Sequence, residues 1–162
     1  MSTARMIATC GGIGHLPAAP GTWASAAAVP LGWALHWAGG FGLMGPATLA
    51  IAALGWWASA QIVTGDEDPS EIVIDEVAGM LIALWPLSIG LTLAGAPAHL
   101  FPWPGWVLGF LAFRALDILK PWPVSRADRM PGATGVMLDD IVAGAITALV
   151  ATVAAGVAHG WI

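Results

Sequence analysis

The stretch VAGMLIALWPLSIGLTLAGAPAHLFPWPGWVLGFLAF, residues 77–113, contains no Asp, Glu, Lys or Arg. A helix that spans a membrane needs about 20 consecutive apolar residues, so this run is long enough for two such helices. Pro97 and Pro102 divide the run, because proline cannot continue a helix. The stretch therefore predicts membrane spans over residues 76–94 and 103–119.

A second uncharged run, residues 6–65, precedes this stretch and is also long enough for two spans. The first span is expected over residues 22–38, where Pro30 should interrupt the helix. The other is expected over residues 43–63. The turn between these two spans is assigned to three glycines, Gly39, Gly40 and Gly42.

The third uncharged run, residues 141–162, predicts a last span over residues 138–158. Hydrophobic residues make up 58% of the chain and charged residues 9%, against about 25% charged residues in soluble domains. The ten Trp also suit a membrane–water interface. The expected fold is all-α, a single domain over residues 1–162 that forms a polytopic membrane helical bundle with about five transmembrane helices.

The charged residues collect at one end of these predicted helices. If the five helices alternate in direction, all ten acidic and five basic residues lie on the side of the N-terminus, or within about a turn of it. The positive-inside rule makes that side cytoplasmic, with the C-terminus outside. Three histidines fall on the far side as interfacial polar residues: His36, His99 and His159.

Two features of the composition exclude other functions. The net charge of −5 argues against nucleic acid as a partner, since nucleic-acid binding needs a basic footprint. Cys10 is the single cysteine, which excludes an internal disulfide and a cysteine-rich metal site. We expect Cys10 to be a small buried residue.

The first acidic segment is GDEDPSEIVIDEVAGM, residues 65–80. Asp68 precedes a proline and Glu71 follows at the third position, which has the form of a capped helix start. In such a helix Asp75 lies about two turns in, and Glu76 lies one position further around. The acids at this start are interpreted as ordinary helix-terminal charges: Asp66, Glu67, Asp68 and Glu71.

The second charged segment is FRALDILKPWP, residues 113–123. Arg114, Asp117 and Lys120 are three positions apart, so they lie roughly on one helical face. The two prolines that follow end this helix. The segment therefore predicts a cation–carboxylate group at the end of the fourth span.

The third segment is GATGVMLDDIVAG, residues 132–144, in which Asp139 and Asp140 are expected to open the last helix. Small residues follow at four-residue spacing and permit close packing of helices in a bilayer. They are Gly144, Ala148, Thr152, Gly156 and Gly160.

Five acids at one level of apolar helices are costly unless they have partners, and such residues are usually functional. Arg114 and Lys120 cannot neutralise all five, so a divalent cation is the simplest remaining compensation. Carboxylates without Cys or paired His suit Mg²⁺, or Mn²⁺, better than zinc. Mg²⁺ with Arg and Lys is in turn suited to phosphate chemistry. The five acids are Asp75, Glu76, Asp117, Asp139 and Asp140.

A Gly/Pro-rich stretch, residues 8–25, joins these segments on the same side. Its backbone N–H groups and hydroxyls, including those of Thr22 and Ser25, could contact an anion at a helix start. This signal is weak by itself, because such stretches are usually loops. Its position beside the acids makes it a candidate part of the site.

The chain resembles the phosphatidylglycerophosphatase A family. The resemblance is carried by LPAAPGTWAS, DPSEIVIDEVAGM, FRALDILKPWPV and GVMLDDIVAG, which occur in family order. It implies a Mg²⁺-dependent phosphatase of the bacterial inner membrane, multi-pass, with its active site on the cytoplasmic side. Such an enzyme converts phosphatidylglycerophosphate, a lipid in the bilayer, to phosphatidylglycerol and phosphate in phospholipid biosynthesis.

The resemblance and the charge pattern together suggest roles for individual residues. Asp75, Glu76, Asp139 and Asp140 are expected to hold one or two Mg²⁺. Thr22, Ser25, Arg114 and Lys120 are expected to bind the substrate phosphate. The expected catalytic residues are the five acids, with Asp117 either orienting the cations or binding metal. Water and a carboxylate both remain open as the nucleophile, and the oligomeric state is also open.

Three other functional classes compete with this hypothesis. A cation- or proton-coupled transporter would use intramembrane acids, but such acids lie near the midplane and often in repeated halves. A lipid head-group transferase of the CDP-alcohol type would need its own aspartate array, which is absent. A structural subunit would need no such group of acids and cations.

Overall fold

The computed structural model describes residues 2–64 and 69–160, and the regular elements there are all helical. In chain order they are α1 (Thr3–Ala8), a 3-10 turn (Cys10–His15), α2 (Pro20–Ala60), α3 (Ile74–Ala83), α4 (Trp85–Leu93), α5 (Trp103–Leu119), α6 (Val124–Asp128) and α7 (Ala133–Ala158). The predicted all-α class is confirmed.

Three of these helical segments are long and apolar enough to cross a membrane. They are Pro20–Ala60, Ile74–Leu93, which combines α3 and α4, and Ala133–Ala158. Large apolar side chains lie exposed on the outside of the bundle, among them Leu93 at 83% and Leu149 at 68%. Such a surface suits a lipid environment. The count of five spans stays a prediction.

α2 consists of two helical halves. Gly39 and Gly40 leave the helical conformation, and Gly40 has a φ of 57°, which favours glycine. A Cβ at Gly32 would lie 3.4 Å from the methyl group of Met44, although residues that far apart in a straight helix are separated by about 18 Å. The chain therefore reverses at the predicted turn, but Gly42, also assigned to it, is helical. Because apolar helices tolerate proline, the predicted break at Pro30 is wrong.

α3 and α7 approach each other at two glycines. A Cβ at Gly79 would lie 2.5 Å from the carbonyl oxygen of Asp140 and 2.7 Å from the ring of Phe113, and a Cβ at Gly144 would meet the backbone of Gly79. Only glycine permits backbones this close. Asp75 and Asp140 each lie one turn before a glycine of this contact. The crossing therefore brings the acidic residues of both helices together.

The predicted start of α3 is wrong. The helix begins at Ile74, so Asp75 and Glu76 lie in its first turn rather than two turns in. The segment before it makes other bonds: the Val73 N–H donates to the Ala8 carbonyl at 2.9 Å, and Glu71 pairs with Arg5 at 2.7 Å. The predicted cap at Asp68, with Asp66 and Glu67, lies outside the described residues.

The predicted start of α7 is wrong in the opposite direction. α7 begins at Ala133, after Gly132 with a φ of 64°, so Asp139 and Asp140 lie almost two turns inside the helix. The added turns bury Val136 and Met137 against neighbouring helices. This apolar burial stabilises a helix start that the acidic pair alone does not predict.

Two single-residue predictions also need correction. His36 is only 3% exposed, and its Nδ1 lies 2.8 Å from the Ser88 hydroxyl, so it is an internal residue rather than an interfacial one. Cys10 is partly buried instead of fully buried. Burial, with a smaller contribution from the charge of Asp75, raises the pKa of its thiol to about 12.

Candidate active site

One polar cavity lies where the starts of α2, α3 and α7 meet the end of α5. Its volume is about 160 Å³. All five acids that the sequence singles out line it, together with Lys120. The lining residues are Gly21, Ser70, Ile72, Val73, Asp75, Glu76, Asp117, Lys120, Val136, Asp139 and Asp140.

The first ionic group at this cavity is the Arg114 cluster, which consists of Arg114, Glu76, Asp117 and Ser25. Arg114 Nη1 lies 2.5 Å from Glu76 Oε2 and 2.7 Å from Asp117 Oδ2. The Ser25 hydroxyl donates to the same Glu76 oxygen at 2.7 Å. A Cβ at Gly21 would collide with the Glu76 carboxylate, so glycine makes room for it. The Arg114 guanidinium is thereby held between α3 and α5, the helix that carries it.

The second ionic group is the Lys120 cluster, which consists of Lys120, Asp128 and Asp139. Lys120 Nζ donates to Asp139 Oδ2 at 2.8 Å and also bonds Asp128. Lys120 caps α5 in a left-handed conformation, with a φ of 43°. Burial by itself would lower the pKa of this ammonium, but the hydrogen bonds to Asp128 and Asp139 outweigh it and raise the pKa above its usual value. Lys120 therefore stays charged at neutral pH.

Three carboxylates of the cavity could hold a metal ion. Glu76, Asp117 and Asp140 each offer an oxygen, and these oxygens lie within 4.8 Å of one another. Asp140 is 3% exposed, and its Oδ1 forms no hydrogen bond with the described residues. A buried carboxylate oxygen without a donor fits a hard cation. The trio includes Glu76 and Asp140 of the predicted metal set and adds Asp117.

The other two predicted metal residues lie beside this trio. Asp75 Oδ1 accepts a hydrogen bond from the Glu76 N–H, and Asp139 Oδ1 accepts one from the Asp140 N–H, both at 2.9 Å. Asp75 and Asp139 each line the cavity. Asp75 and Asp139 therefore border the trio and are candidates to bind a second ion, to orient the trio or to accept a proton.

The predicted phosphate-binding residues are divided by the fold. Lys120 lines the cavity, whereas Arg114 and Ser25 contact it through Glu76. Thr22 is partly buried and is not among the lining residues; its neighbour Gly21 is. The expected role of Thr22 therefore has no contact in the structure that supports it.

Sequence reasoning missed Asp128, the second partner of Lys120. Asp128 stands in a mixed polar segment, VSRADRM, where a lone acid is ordinarily a solvated charge. Only the turn after α5, followed by the short α6, brings it to the Lys120 ammonium. Its proximity to the KPWP motif in the chain is the one sequence signal that could have indicated it.

Comparison with known proteins agrees with the motifs. The family model for Phosphatidylglycerophosphatase A matches residues 6–155. Phosphatidylglycerophosphatase A of Escherichia coli (strain K12) is 35% identical over 147 residues, which is 89% of this chain and 78% of the relative. The protein of the same name from Haemophilus influenzae is 31% identical over 142 residues, covering 86% of this chain and 80% of the relative.

A third relative carries a different name. A Bacteroides thetaiotaomicron protein named "Putative phosphatidylinositol-3-phosphatase" is 32% identical over 155 residues, 92% of this chain and 91% of the relative. No solved structure matches this chain significantly. All three relatives are named as phosphatases of a phospholipid, but the head group in the name differs.

Proposed function

This chain belongs to the phosphatidylglycerophosphatase A family, and from that premise we propose that it is a phosphatidylglycerophosphatase. It hydrolyses the terminal phosphomonoester of phosphatidylglycerophosphate to phosphatidylglycerol and inorganic phosphate, a step of phospholipid biosynthesis. The observation that carries the proposal is the cavity lined by five carboxylates and Lys120 at one end of apolar helices. The relatives are named as phosphatases, so the transporter alternative is not favoured.

The proposed setting is the bacterial inner membrane, crossed five times. The reversal of α2 at Gly39 and Gly40 supports two spans, and α3 with α4, α5 and α7 would supply three more. The basic residues would then share one side, which favours a cytoplasmic N-terminus and cavity. Reporter fusions test this arrangement: a C-terminal reporter should be active only outside the cytoplasm, and a cytoplasmic C-terminus would contradict it.

We propose Mg²⁺, with Mn²⁺ as a substitute, as the cofactor. Glu76, Asp117 and Asp140 would hold the ion, and Asp75 and Asp139 lie close enough to complete a larger set. Such an ion, when bound, would offset the carboxylate charge and polarise the phosphoryl oxygens. The unpartnered Asp140 oxygen is the observation that supports this assignment.

In the proposed reaction the chain binds and orients the phosphate and moves one proton. Lys120 donates to a phosphate oxygen, because its ammonium is partly exposed to the cavity. Arg114 holds Glu76 and Asp117 in place and balances part of their charge. Asp75 or Asp139 accepts the proton of the attacking water. The water oxygen bonds to phosphorus as the P–O bond to the lipid breaks, the departing lipid alkoxide takes up that proton to become a hydroxyl, and inorganic phosphate is released.

A covalent route remains a second form of the same activity. In it, a cavity carboxylate attacks phosphorus and water then hydrolyses the acyl phosphate. Brief incubation with lipid labelled in the terminal phosphate, followed by acid quenching, separates the two routes. Label on the protein indicates the covalent route, and its absence during turnover indicates direct attack by water.

The activity itself is tested with purified protein in neutral detergent. Phosphate release from phosphatidylglycerophosphate should require Mg²⁺ or Mn²⁺ and stop with a chelator. Asp140→Asn should lower kcat by about 100-fold or more, since it removes a carboxylate central to the site. Glu71→Gln is the matched control, because Glu71 pairs with Arg5 and does not line the cavity.

Two results would contradict the proposal. One is metal-independent release, and the other is an Asp140→Asn variant as active as Glu71→Gln. Phosphatidylinositol 3-phosphate serves as a second substrate, because one relative is named for it. Faster release from that lipid than from phosphatidylglycerophosphate would replace the proposed substrate.

A further inference from the structure

Two of the five basic residues, Arg126 and Arg129, differ from the rest in having no carboxylate partner among the described residues. Arg5 pairs with Glu71, and Arg114 and Lys120 each bind two carboxylates. Arg126 and Arg129 are exposed and form no ion pair with residues 2–64 or 69–160. An exposed, unpaired guanidinium pair is available for an anion from outside the chain.

Arg126 lies in α6, and Arg129 caps the C-terminal end of this helix. Val124 and Ala127 are buried and form the inward face of this short helix. Arg126 and Arg129 have the same three-residue spacing but are exposed, so they form the outward face. The two guanidinium groups can therefore reach one ligand together.

Arg129 is joined to the cavity through its neighbour in the chain, Asp128. Arg129 follows Asp128 directly, so their Cα atoms are about 3.8 Å apart. Asp128 in turn bonds the ammonium of Lys120, which lines the cavity. A molecule whose end group contacts Lys120 therefore lies close to the end of α6.

The charges inside the cavity explain why a second cationic site matters. Arg114 and Lys120 are each already shared between two carboxylates, so neither adds net positive charge. A lipid with a second phosphate must bring that group past a strongly acidic surface. Arginine suits phosphate because its planar fork donates two parallel hydrogen bonds.

We propose that Arg126 and Arg129 form a second phosphate-binding site, which holds the phosphodiester of the lipid substrate while its terminal phosphate occupies the cavity. This inference rests on the proposed function and adds a basis for specificity. A lipid with a phosphodiester and a terminal phosphomonoester contacts both sites. A lipid with one phosphate contacts only one.

The product and inorganic phosphate separate the two sites experimentally. Phosphatidylglycerol keeps the phosphodiester, whereas inorganic phosphate can occupy the cavity alone. In neutral micelles, Arg126→Gln/Arg129→Gln should raise KM for phosphatidylglycerophosphate and Ki for phosphatidylglycerol by roughly three- to ten-fold. Its kcat and its Ki for inorganic phosphate should change by less than about two-fold, because the cavity is intact.

Two control variants exclude simpler explanations. Arg5→Gln removes one positive charge from an exposed arginine that already has a partner, and it should leave all four constants within about two-fold. Arg126→Lys/Arg129→Lys keeps the positive charge but loses the planar guanidinium, so it should recover part of the phosphatidylglycerol affinity. Equal effects of Arg5→Gln and the double Gln variant would overturn the inference.

Other outcomes are equally decisive. If the double Gln variant is impaired only in anionic vesicles and not in neutral micelles, the arginines attract a charged bilayer and the inference is wrong. An unchanged Ki for phosphatidylglycerol also overturns it. If the wild type releases no phosphate, the proposed function fails. Direct titration of phosphatidylglycerol into micelles containing each variant still tests the second site without turnover.

Discussion

The Arg114 cluster and the Lys120 cluster share one arrangement of charges but have different surroundings. Each places one cation between two carboxylates. The Arg114 side chain is 14% exposed, whereas that of Lys120 is 32% exposed. Of the two partners of Lys120, Asp128 is 37% exposed and Asp139 is 9% exposed. Arg114 lies within α5, while Lys120 lies at its end and bonds residues of α6 and α7.

This difference separates charge compensation from substrate binding. Removing one partner of a buried pair leaves an uncompensated charge where solvent cannot stabilise it. An exposed pair is screened by water, so it contributes little and can exchange partners. We therefore expect Arg114 to support both folding and catalysis, and Lys120 to serve mainly the phosphate.

The largest effect is expected from Arg114→Ala, which would leave Glu76 and Asp117 without their cation. We expect no measurable activity and a loss of about 3 kcal/mol in unfolding free energy. Thermal unfolding in detergent and phosphate release measure the two effects. Arg114→Lys retains the charge and should be intermediate in both. A wild-type Tm for Arg114→Ala would show that the buried ion pairs of this cluster do not contribute to stability.

Lys120→Ala should separate activity from stability. We expect kcat/KM to fall by about 100-fold, because a donor to the phosphate is lost. The unfolding free energy should fall by less than for Arg114→Ala, because only one of the two partners of Lys120, Asp139, is buried. The same two measurements apply, with Lys120→Arg as the charge-retaining control. A Tm as low as that of Arg114→Ala would remove the contrast between the clusters.

Asp128→Asn tests whether Asp128 positions Lys120. Lys120 keeps Asp139, so kcat/KM should fall by only about three-fold, with a change in Tm too small to resolve. The distinguishing measurement is a double-mutant cycle with Lys120→Ala. Asp128→Asn should have no further effect once Lys120 is absent. Additive effects would show that Asp128 acts independently of Lys120.

The smallest effect is expected from Cys10→Ala, since Cys10 belongs to neither cluster. Burial and the charge of Asp75 raise the thiol pKa to about 12, so the folded protein favours the protonated form. The protonated Cys10 thiol therefore contributes to the free energy of unfolding at neutral pH. This contribution falls as the pH rises above the unfolded pKa of about 8.5. Iodoacetamide should label Cys10 far more slowly in the native protein than in the denatured one at pH 8. Rapid native labelling would contradict this.

Sequence reasoning succeeded where a long-range pattern carried the signal. Uncharged runs predicted an all-helical fold, and the glycine turn predicted the reversal of α2. It failed at helix starts, where local charges were given too much weight. Asp68 and Pro69 suggested a start that the α1 contact at Val73 prevents, and Asp139 marked a start that apolar packing moves to Ala133.

The candidate site was predictable as a set of residues but not as a geometry. An acid in an apolar helix has a free-energy cost that is visible in the sequence, so all five acids could be named. Which of the five acids share a cation depends on how each helix is rotated about its axis and shifted along it. The Gly79–Gly144 crossing sets both for α3 and α7.

The sequence by itself predicted the helical class, apolar helices long enough to cross a membrane, and the grouping of the five acids. These properties follow from composition and spacing along the chain, because apolar length and charge placement act locally. Only the tertiary structure decided that oxygens of Glu76, Asp117 and Asp140 lie within 4.8 Å of one another, and that Asp128 reaches Lys120. The physical reason is distance: Coulomb and coordination energies depend on separations of a few ångströms, which packing sets and the linear order of residues does not.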